Sequence, residues 1–319
     1  MRSPNQTFGS CQAMCSSEEV DFRQKNKLIH PLESLDPTVP HKELVCDPSK
    51  MVKEYVRSAA GISYDSESNI RTMEVLSSTT DYLISLYQEL KETELCLVFS
   101  FVSDRLRAVR QDIIIKNVWN APAILILEKM IPFYLETLCL GLFKPFSSFE
   151  LVLHSTQLHE CFSKWLNANK KEERDPTIII SFLIFVYYDM PYDNSFYRFL
   201  NCLNDDMRSL VIRLLNAFKS CNYVRFFRLL KLLPSNSNRE SAVYLIQSLR
   251  SIAVDRICIA YKCNNAKLPK SLIYSCLGYS EQDCIGLSSI DSSQVLVSDL
   301  KNVLSTYWPS TLYSYNTSN

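Results

Sequence analysis

Apolar residues recur every three or four positions along most of this chain, which is the spacing of one face of an α-helix. Similar spacing predicts helices over residues 71–90, 94–116, 121–140, 157–169, 176–189, 193–203, 205–219 and 222–233. Ser237 and Glu240 have the spacing of a capping box and predict a long helix that continues to Tyr261. Short connections between these helices favour an all-α stack of antiparallel helix pairs.

The clearest of these helices, over residues 94–116, carries one apolar stripe, which consists of Leu95, Val98, Val102, Leu106, Val109 and Ile113. A stripe of this kind is buried against neighbouring elements in most globular proteins. We therefore expect this helix to lie at the centre of the stack.

The two ends of the chain depart from the helical pattern. Prolines recur through residues 31–48 with polar residues between them, which predicts an extended N-terminal arm lying on the rest of the chain. Near the other end, Pro269 and Gly278 bracket a short helix, Ser280 can begin a second, and short runs around Asp291 predict a hairpin. This order is typical of a small winged helix. Three regions are expected: the arm (1–49), the helical-repeat region (50–263), and the winged-helix module with its tail (264–319).

Glycine spacing and hydropathy exclude two classes of protein. The chain has only 5 glycines, and the two closest are Gly278 and Gly286, whereas a phosphate-binding loop needs several within about six residues. The longest nearly continuous apolar run, from Ile178 to Tyr188, is about half the length of a membrane-spanning helix. We expect a soluble protein that binds no nucleotide in a glycine-rich loop and does not enter a membrane.

The 12 cysteines raise the question of a metal site. The N-terminus has no apolar leader, so free thiols in a reducing compartment are expected. Cys11, Cys15, His41 and Cys46 could supply four zinc ligands, but their spacing is looser than in structural zinc sites. The interpretation favoured here is that the chain has no metal and no cofactor. It also carries no local signature of a catalytic nucleophile or a zinc protease, so no enzyme activity is expected.

Charge does not point to one class of partner for the whole chain, because 34 basic residues balance 34 acidic ones. Two rows of basic residues are local exceptions: Arg105, Arg107 and Arg110, then Arg225, Arg228 and Lys231. Each row could follow a phosphate backbone, bind the carboxylates of a protein partner, or be a solvated or salt-bridged helix face. The sequence leaves these alternatives open.

Four segments resemble signatures of the Sac-three/GANP family, and they occur in the family's order. They are Cys11–Cys15 with Glu19 after it, Val52–Gly61, Asp104–Asp112 and Asn222–Leu230. The resemblance spans about residues 9–285. Two departures are Ser16, where the family has proline, and Ile131–Tyr134, where a more polar sequence is usual.

The resemblance implies a helical-repeat stack ending in a winged helix, similar to TPR- and PCI-type folds, with no catalytic activity. Large family members are scaffolds of the TREX-two messenger-RNA export complex. There the domain pairs with a PCI-domain protein and a small acidic Sem/DSS-type peptide, and it binds RNA only as part of that complex. The chain is most similar to the short, single-domain members, which are linked to centrosome duplication and spindle function.

The expected function is therefore a non-enzymatic interaction scaffold acting in centrosome duplication, spindle assembly and mitotic progression. The alternative is a TREX-two-like adaptor in nuclear messenger-RNA export. The expected location is the nucleus and cytoplasm, with centrosome or spindle association in mitosis.

The motif residues are expected to be structural. In this interpretation Tyr55, Arg57, Arg105, Arg110 and Asp112 hold the arm to the helices through charge-assisted hydrogen bonds. The further motif residues counted with them are Cys11, Cys15, Asp104 and Gln111. The alternative role for this set is a partner surface.

Overall fold

The computed structural model describes residues 9–57, 67–143, 145–168, 173–188, 194–262, 266–278, 294–297 and 300. Within these residues the chain is an all-α stack of helices, as predicted, with a single two-stranded sheet. None of the helices described combines the length and the apolar character needed to cross a bilayer.

Twelve α-helices occur in the described residues. They are α1 (Ser17–Lys25), α2 (Met73–Leu90), α3 (Leu95–Lys116), α4 (Ala121–Phe143), α5 (Leu151–Asn167), α6 (Pro176–Tyr187), α7 (Asn194–Leu200), α8 (Asp205–Lys219), α9 (Tyr223–Leu230), α10 (Asn236–Glu240), α11 (Val243–Ala260) and α12 (Lys270–Leu277). Short 3-10 helices lie at Pro31–Glu33, His41–Glu43 and Glu67–Asn69, and the two strands are β1 (Lys267–Pro269) and β2 (Gln294–Leu296).

Contacts divide the chain into two compact units. The first comprises residues 1–137 and 145–174, and the second comprises residues 138–144 and 175–319. The N-terminal arm belongs to the first unit together with α2 and α3, and α6 to α12 belong to the second. The three-region division at residues 49 and 263 stays a prediction.

Helix α3 is the centre of the first unit. Its predicted apolar stripe is buried from Val98 to Ile113, and only Leu95 at the helix start is half-exposed. Helix α2 packs along it, beginning where the Thr72 hydroxyl accepts a hydrogen bond from the backbone N–H of Val75. Helix α3 ends at Asn117, whose φ of 49° is left-handed.

The N-terminal arm contains more helix than its prolines suggested. The arm has no proline between Pro4 and Pro31, so the residues between them are free to form α1. Ser16, which departs from the family pattern, is the N-cap of this helix, and its hydroxyl accepts from the backbone N–H of Glu19 at 3.4 Å. The buried Cys15, Ile29, Leu44 and Met51 form a small apolar cluster within the arm region.

In the second unit, the long helix predicted to end near Tyr261 is present as α11, but its predicted start at Ser237 is wrong because a separate short helix precedes it. The cap is Ser235, which begins α10, and α11 starts only at Val243. Helix α10 is held to α6 by the buried Asn238, whose amide donates to the carbonyl oxygen of Thr177 at 2.7 Å and the hydroxyl of Ser181 at 2.8 Å. These bonds hold α10 against α6.

The C-terminal part contains α12 and an antiparallel pair of strands, in which Leu268 of β1 opposes Val295 of β2. The sequence analysis did not predict strand β1, because it assigned Pro269 to the start of a helix. Of the predicted hairpin around Asp291 only residues 294–297 are described, and they include β2, which pairs with β1. The second short helix predicted from Ser280 lies outside the described residues. The winged helix therefore stays a prediction.

Gly278 ends α12 in a conformation that only glycine adopts readily. Its φ is +68°, and a Cβ built there would lie 2.2 Å from Cδ1 of Phe227 in α9. Both the left-handed backbone and the close approach of α12 to α9 therefore require a residue without a side chain.

We expect Gly278→Ala to lower the free energy of unfolding by about 2 kcal/mol or more, through backbone strain and overpacking against Phe227. Urea unfolding followed by circular dichroism measures the change. Leu272→Ala, at an exposed position of the same helix, should change it by less than about 0.5 kcal/mol. Equal effects of the two substitutions would contradict this account of Gly278.

Candidate functional site

A buried carboxylate, Asp112 of α3, joins three segments of the first unit. Its side chain is completely buried, and its two oxygens bind Nε of Arg71 at 2.7 Å and Nζ of Lys53 at 2.8 Å. Arg71 also donates to the carbonyl oxygen of Met14 at 3.4 Å. Two cations from before α2 thus neutralise one anion, and the arm, the segment before α2 and α3 are held together.

A second buried carboxylate, Glu33, lies between two arginines. Its side chain is fully buried and forms ion pairs with Arg23 of α1 and, at 3.3 Å, with Arg105 of α3. Glu54 adds a partly exposed carboxylate, 3.2 Å from Arg23 and 2.9 Å from Arg105. Burial works against the charged form of Arg105, but Glu33, Asp104 and Glu54 more than offset it, so the pKa of the guanidinium is raised.

The backbone after Met51 runs along α3 and is fixed by its polar side chains. The N–H of Tyr55 donates to Asp104 at 3.2 Å, and the amide of Gln111 donates to the carbonyl oxygen of Val56 at 2.9 Å. The guanidinium of Arg107 lies 3.7 Å from the centre of the Tyr55 ring. Arg57, placed in the same set from the sequence, is exposed at the end of this stretch.

Arg110 contacts a different element from the one expected. It is buried, and it reaches α5, where it bonds to the side chain of Gln157, to Glu160 at 2.8 Å and to the thiol of Cys161 at 3.2 Å. It therefore joins α3 to α5, not α3 to the arm. Arg105 and Arg110 are both turned into the protein, and Arg107 is half-buried beneath the Tyr55 contact.

Arg23, Glu33 and Arg71 were missed by the sequence analysis, although each is buried in these networks. The sequence of α3 did carry part of the evidence for these buried ion pairs. Arg105 and Asp112 are seven residues apart and in phase with its apolar stripe, so both fall on its buried face. Such charges need buried partners of opposite sign. No spacing rule shows which residues of the arm supply them.

Cys11 and Cys15 hold the arm through backbone and packing contacts. The N–H of Cys11 donates to Ile70 at 3.0 Å, and its carbonyl oxygen accepts from Thr72 at 3.1 Å. Burial, and then the nearby Glu19, raise the pKa of the Cys15 thiol, which disfavours the thiolate that metals bind. In the part of the chain that the structure describes, no three His, Cys, Asp or Glu side chains are placed to hold a metal ion.

His154 is a buried neutral imidazole in α5. Its Nε2 lies 3.0 Å from both the carbonyl oxygen of Tyr134 and the hydroxyl of Thr137, which itself donates to Phe133. Nε2 must therefore carry the proton. Nδ1 is buried without a partner, and burial lowers the pKa of His154 to about 4 because a second proton there would be unsolvated.

The second basic row lies in the second unit and differs from the first. The row consists of exposed residues, Arg225 and Arg228 of α9 and the following Lys231. None of their side chains forms a hydrogen bond or an ion pair with the described residues. Arg228 and Lys231 line a groove of about 250 Å³ between α9 and α12. Of the two basic rows predicted from the sequence, this one is exposed to solvent at all three of its residues.

Comparison with known proteins gives matches along nearly the whole chain. A sequence model described as the SAC3/GANP family matches residues 14–290. A protein of Arabidopsis thaliana named SAC3 family protein B is 30% identical over 128 residues, which cover 40% of this chain and 7% of that protein. A Drosophila melanogaster protein named Protein xmas is 24% identical over 336 residues, which cover 94% of this chain and 16% of that protein. The chain thus spans a small part of the length of these relatives.

We expect Asp112→Asn to lower the free energy of unfolding by about 3–5 kcal/mol, because it leaves two cations without a buried anion. Urea unfolding provides the measurement. Asp81→Asn is the matched control, since Asp81 pairs with Lys129 on the surface, 58% and 38% exposed, and should cost about 1 kcal/mol or less. A small loss at Asp112 would show that the pairing there is dispensable.

We also expect the first unit to lose stability as the pH falls from 6.5 towards 4. The pKa of His154 is about 4 in the folded chain and near 6.5 when unfolded, so in this range unfolding takes up a proton. The free energy of unfolding should fall by about 1.4 kcal/mol per pH unit for each such histidine. His30, whose pKa burial also lowers to about 4, adds to the slope.

Unfolding free energies measured between pH 7 and pH 4 check this expectation. His154→Gln should reduce the slope, whereas Thr156→Ala, at an exposed position of the same helix, should leave it unchanged because threonine does not titrate in this range. An unchanged slope in His154→Gln would count against the buried neutral imidazole.

Proposed function

The chain belongs to the SAC3/GANP family, which is of the non-catalytic scaffold type, and from this premise we propose that it is a non-enzymatic interaction scaffold. The process we assign to it is centrosome duplication, spindle assembly and mitotic progression. This assignment rests on its similarity to the short members of the family. The proposed location is the nucleus and cytoplasm, with association to the centrosome or spindle in mitosis.

The observation that supports a scaffold role is where the motif side chains lie. Arg105, Arg110 and Asp112 are buried and bind groups of the same unit. Groups held in ion pairs of this kind position backbone and do not need to exchange protons or bind a substrate. The motifs thus build a rigid unit, and binding to partners is left to exposed residues elsewhere.

A second candidate function is a TREX-two-like adaptor in nuclear messenger-RNA export. In this role the chain would bind a PCI-domain protein and a small acidic Sem/DSS-type peptide, and it would bind RNA only within that complex. The observation that favours it is the exposed row Arg225, Arg228 and Lys231, which has no partner among the residues described. A row of free cations is what a phosphate backbone needs.

The two functions predict different partners for the intact protein. We expect capture from mitotic cell extract at moderate salt to retain centrosomal or spindle proteins in stoichiometric amounts, with or without nuclease treatment. Mass spectrometry of the eluate identifies them. Asp112→Asn is a useful second bait, since loss of the folded first unit should abolish retention of partners that bind there.

Recovery of a PCI-domain protein with a small acidic peptide, and no centrosomal or spindle protein, would overturn the first function in favour of the second. The reconstituted complex should then bind RNA with a strong dependence on salt, because each neutralised phosphate releases a counterion. Arg225→Ala in that complex should make the salt dependence shallower.

A further inference from the structure

A groove between α9 and α12, in the second unit, is lined by two cations. It is lined by Phe227, Arg228, Lys231, Ser271, Tyr274, Ser275 and Gly278. Neither helix contains an acidic residue, and Arg225, Lys267 and Lys270 add further positive charge in and beside them. No acidic side chain on α9 or α12 therefore competes with an anion for Arg228 and Lys231.

The polar side chains of the groove lie on α9 and α12, which form its two sides. Arg228 and Lys231 are three residues apart on α9 and its C-cap, and Ser271 and Ser275 are four apart on α12, so each pair shares one face of its helix. All four side chains are exposed. None of them has a hydrogen-bond partner or an ion-pair partner among the described residues. Their donors are therefore available to a ligand.

The floor of the groove is rigid and apolar. Phe227 and Tyr274 are 3% and 8% exposed. Gly278 allows the end of α12 to pack directly on the Phe227 ring. Behind this ring, Arg250 donates to the carbonyl oxygen of Leu277 at 2.8 Å, which fixes the end of α12 against α11. The charged groups are thus presented on a fixed support.

We propose that this groove binds a phosphorylated serine or threonine of a protein partner. A phosphomonoester carries a charge of about −1.5 to −2 and three acceptor oxygens at neutral pH. Arg228 and Lys231 supply two positive charges, and Ser271 and Ser275 supply two hydroxyl donors. An arginine fork with further donors is the usual means of recognising a phosphate in a peptide. A carboxylate would match only half of this charge.

The observations favour a peptide over a nucleic acid. Single-stranded nucleic acid binds where a basic track is combined with exposed aromatic rings on which bases stack. Here both aromatic rings are buried in the floor, and the groove of about 250 Å³ is of a size for one side chain. The proposal rests on the scaffold function proposed above, because it gives the chemistry of one of the scaffold's partners.

The test uses the full chain and three bead-bound peptide libraries. Each library consists of nine-residue peptides with degenerate flanks, and the central residue is phosphoserine, serine or glutamate. We expect at least about tenfold more protein retained on phosphoserine than on either other library, equivalent to about 1.4 kcal/mol. Equal retention on serine or glutamate would overturn the proposal.

Variants localise the binding. Arg228→Glu with Lys231→Glu should abolish phosphoserine-dependent retention. Arg213→Glu with Lys262→Glu makes the same change in net charge at exposed positions outside the groove and should preserve it. Retention that survives the first pair of substitutions would overturn the proposal.

Two further measurements keep the result interpretable. Circular dichroism melting checks that the charge-reversed chain is folded, and if it is not, Ser271→Ala with Ser275→Ala should reduce retention without changing net charge. A fluorescein-labelled 20-residue uridine RNA tests the nucleic-acid alternative. RNA binding that depends on Arg228 and Lys231, with no retention on phosphoserine, would overturn the proposal. These assays use the isolated chain, so their failure leaves the capture experiment as an independent test of the scaffold role.

Discussion

A carboxylate that is completely buried must be paired, and in this chain two such carboxylates set the arrangement of the first unit. Glu33 and Asp112 each lie between two cations that come from other segments. The cost of removing these charges from water is offset only when all the segments are in place. The arm and α3 therefore depend on each other, and neither can present its charged groups correctly alone.

This dependence explains the unusual composition of α3. A helix that carries arginine and aspartate on its buried face would be a poor core helix if its neighbours were apolar. Because Glu33 approaches it from the arm, and Lys53 and Arg71 from the segment before α2, the same charges become the contacts that fix those segments. Polar pairing also selects one register, since a shift of the arm by one residue would separate each pair.

Charged side chains are arranged differently in the second unit. Its interior is fixed by apolar packing, by neutral hydrogen bonds such as those of Asn238, and by the bond of the buried Arg250 to the carbonyl oxygen of Leu277. Arg225, Arg228 and Lys231 stay in solvent on helices without acidic residues. Arginines thus hold segments together in both units, and those of α9 are left available for recognition.

The sequence by itself determined the helical class, the extent of most helices and the family. These follow from local periodicity, from caps such as Asn204 before α8, and from motifs of continuous residues. It could not show that Arg105 binds Glu33 or that Arg110 turns to α5, because those partners lie 72 and 47 to 51 positions away. Only the tertiary structure decided which arginines are buried and which are exposed, because burial depends on the segments that pack against a helix and not on the residues within it.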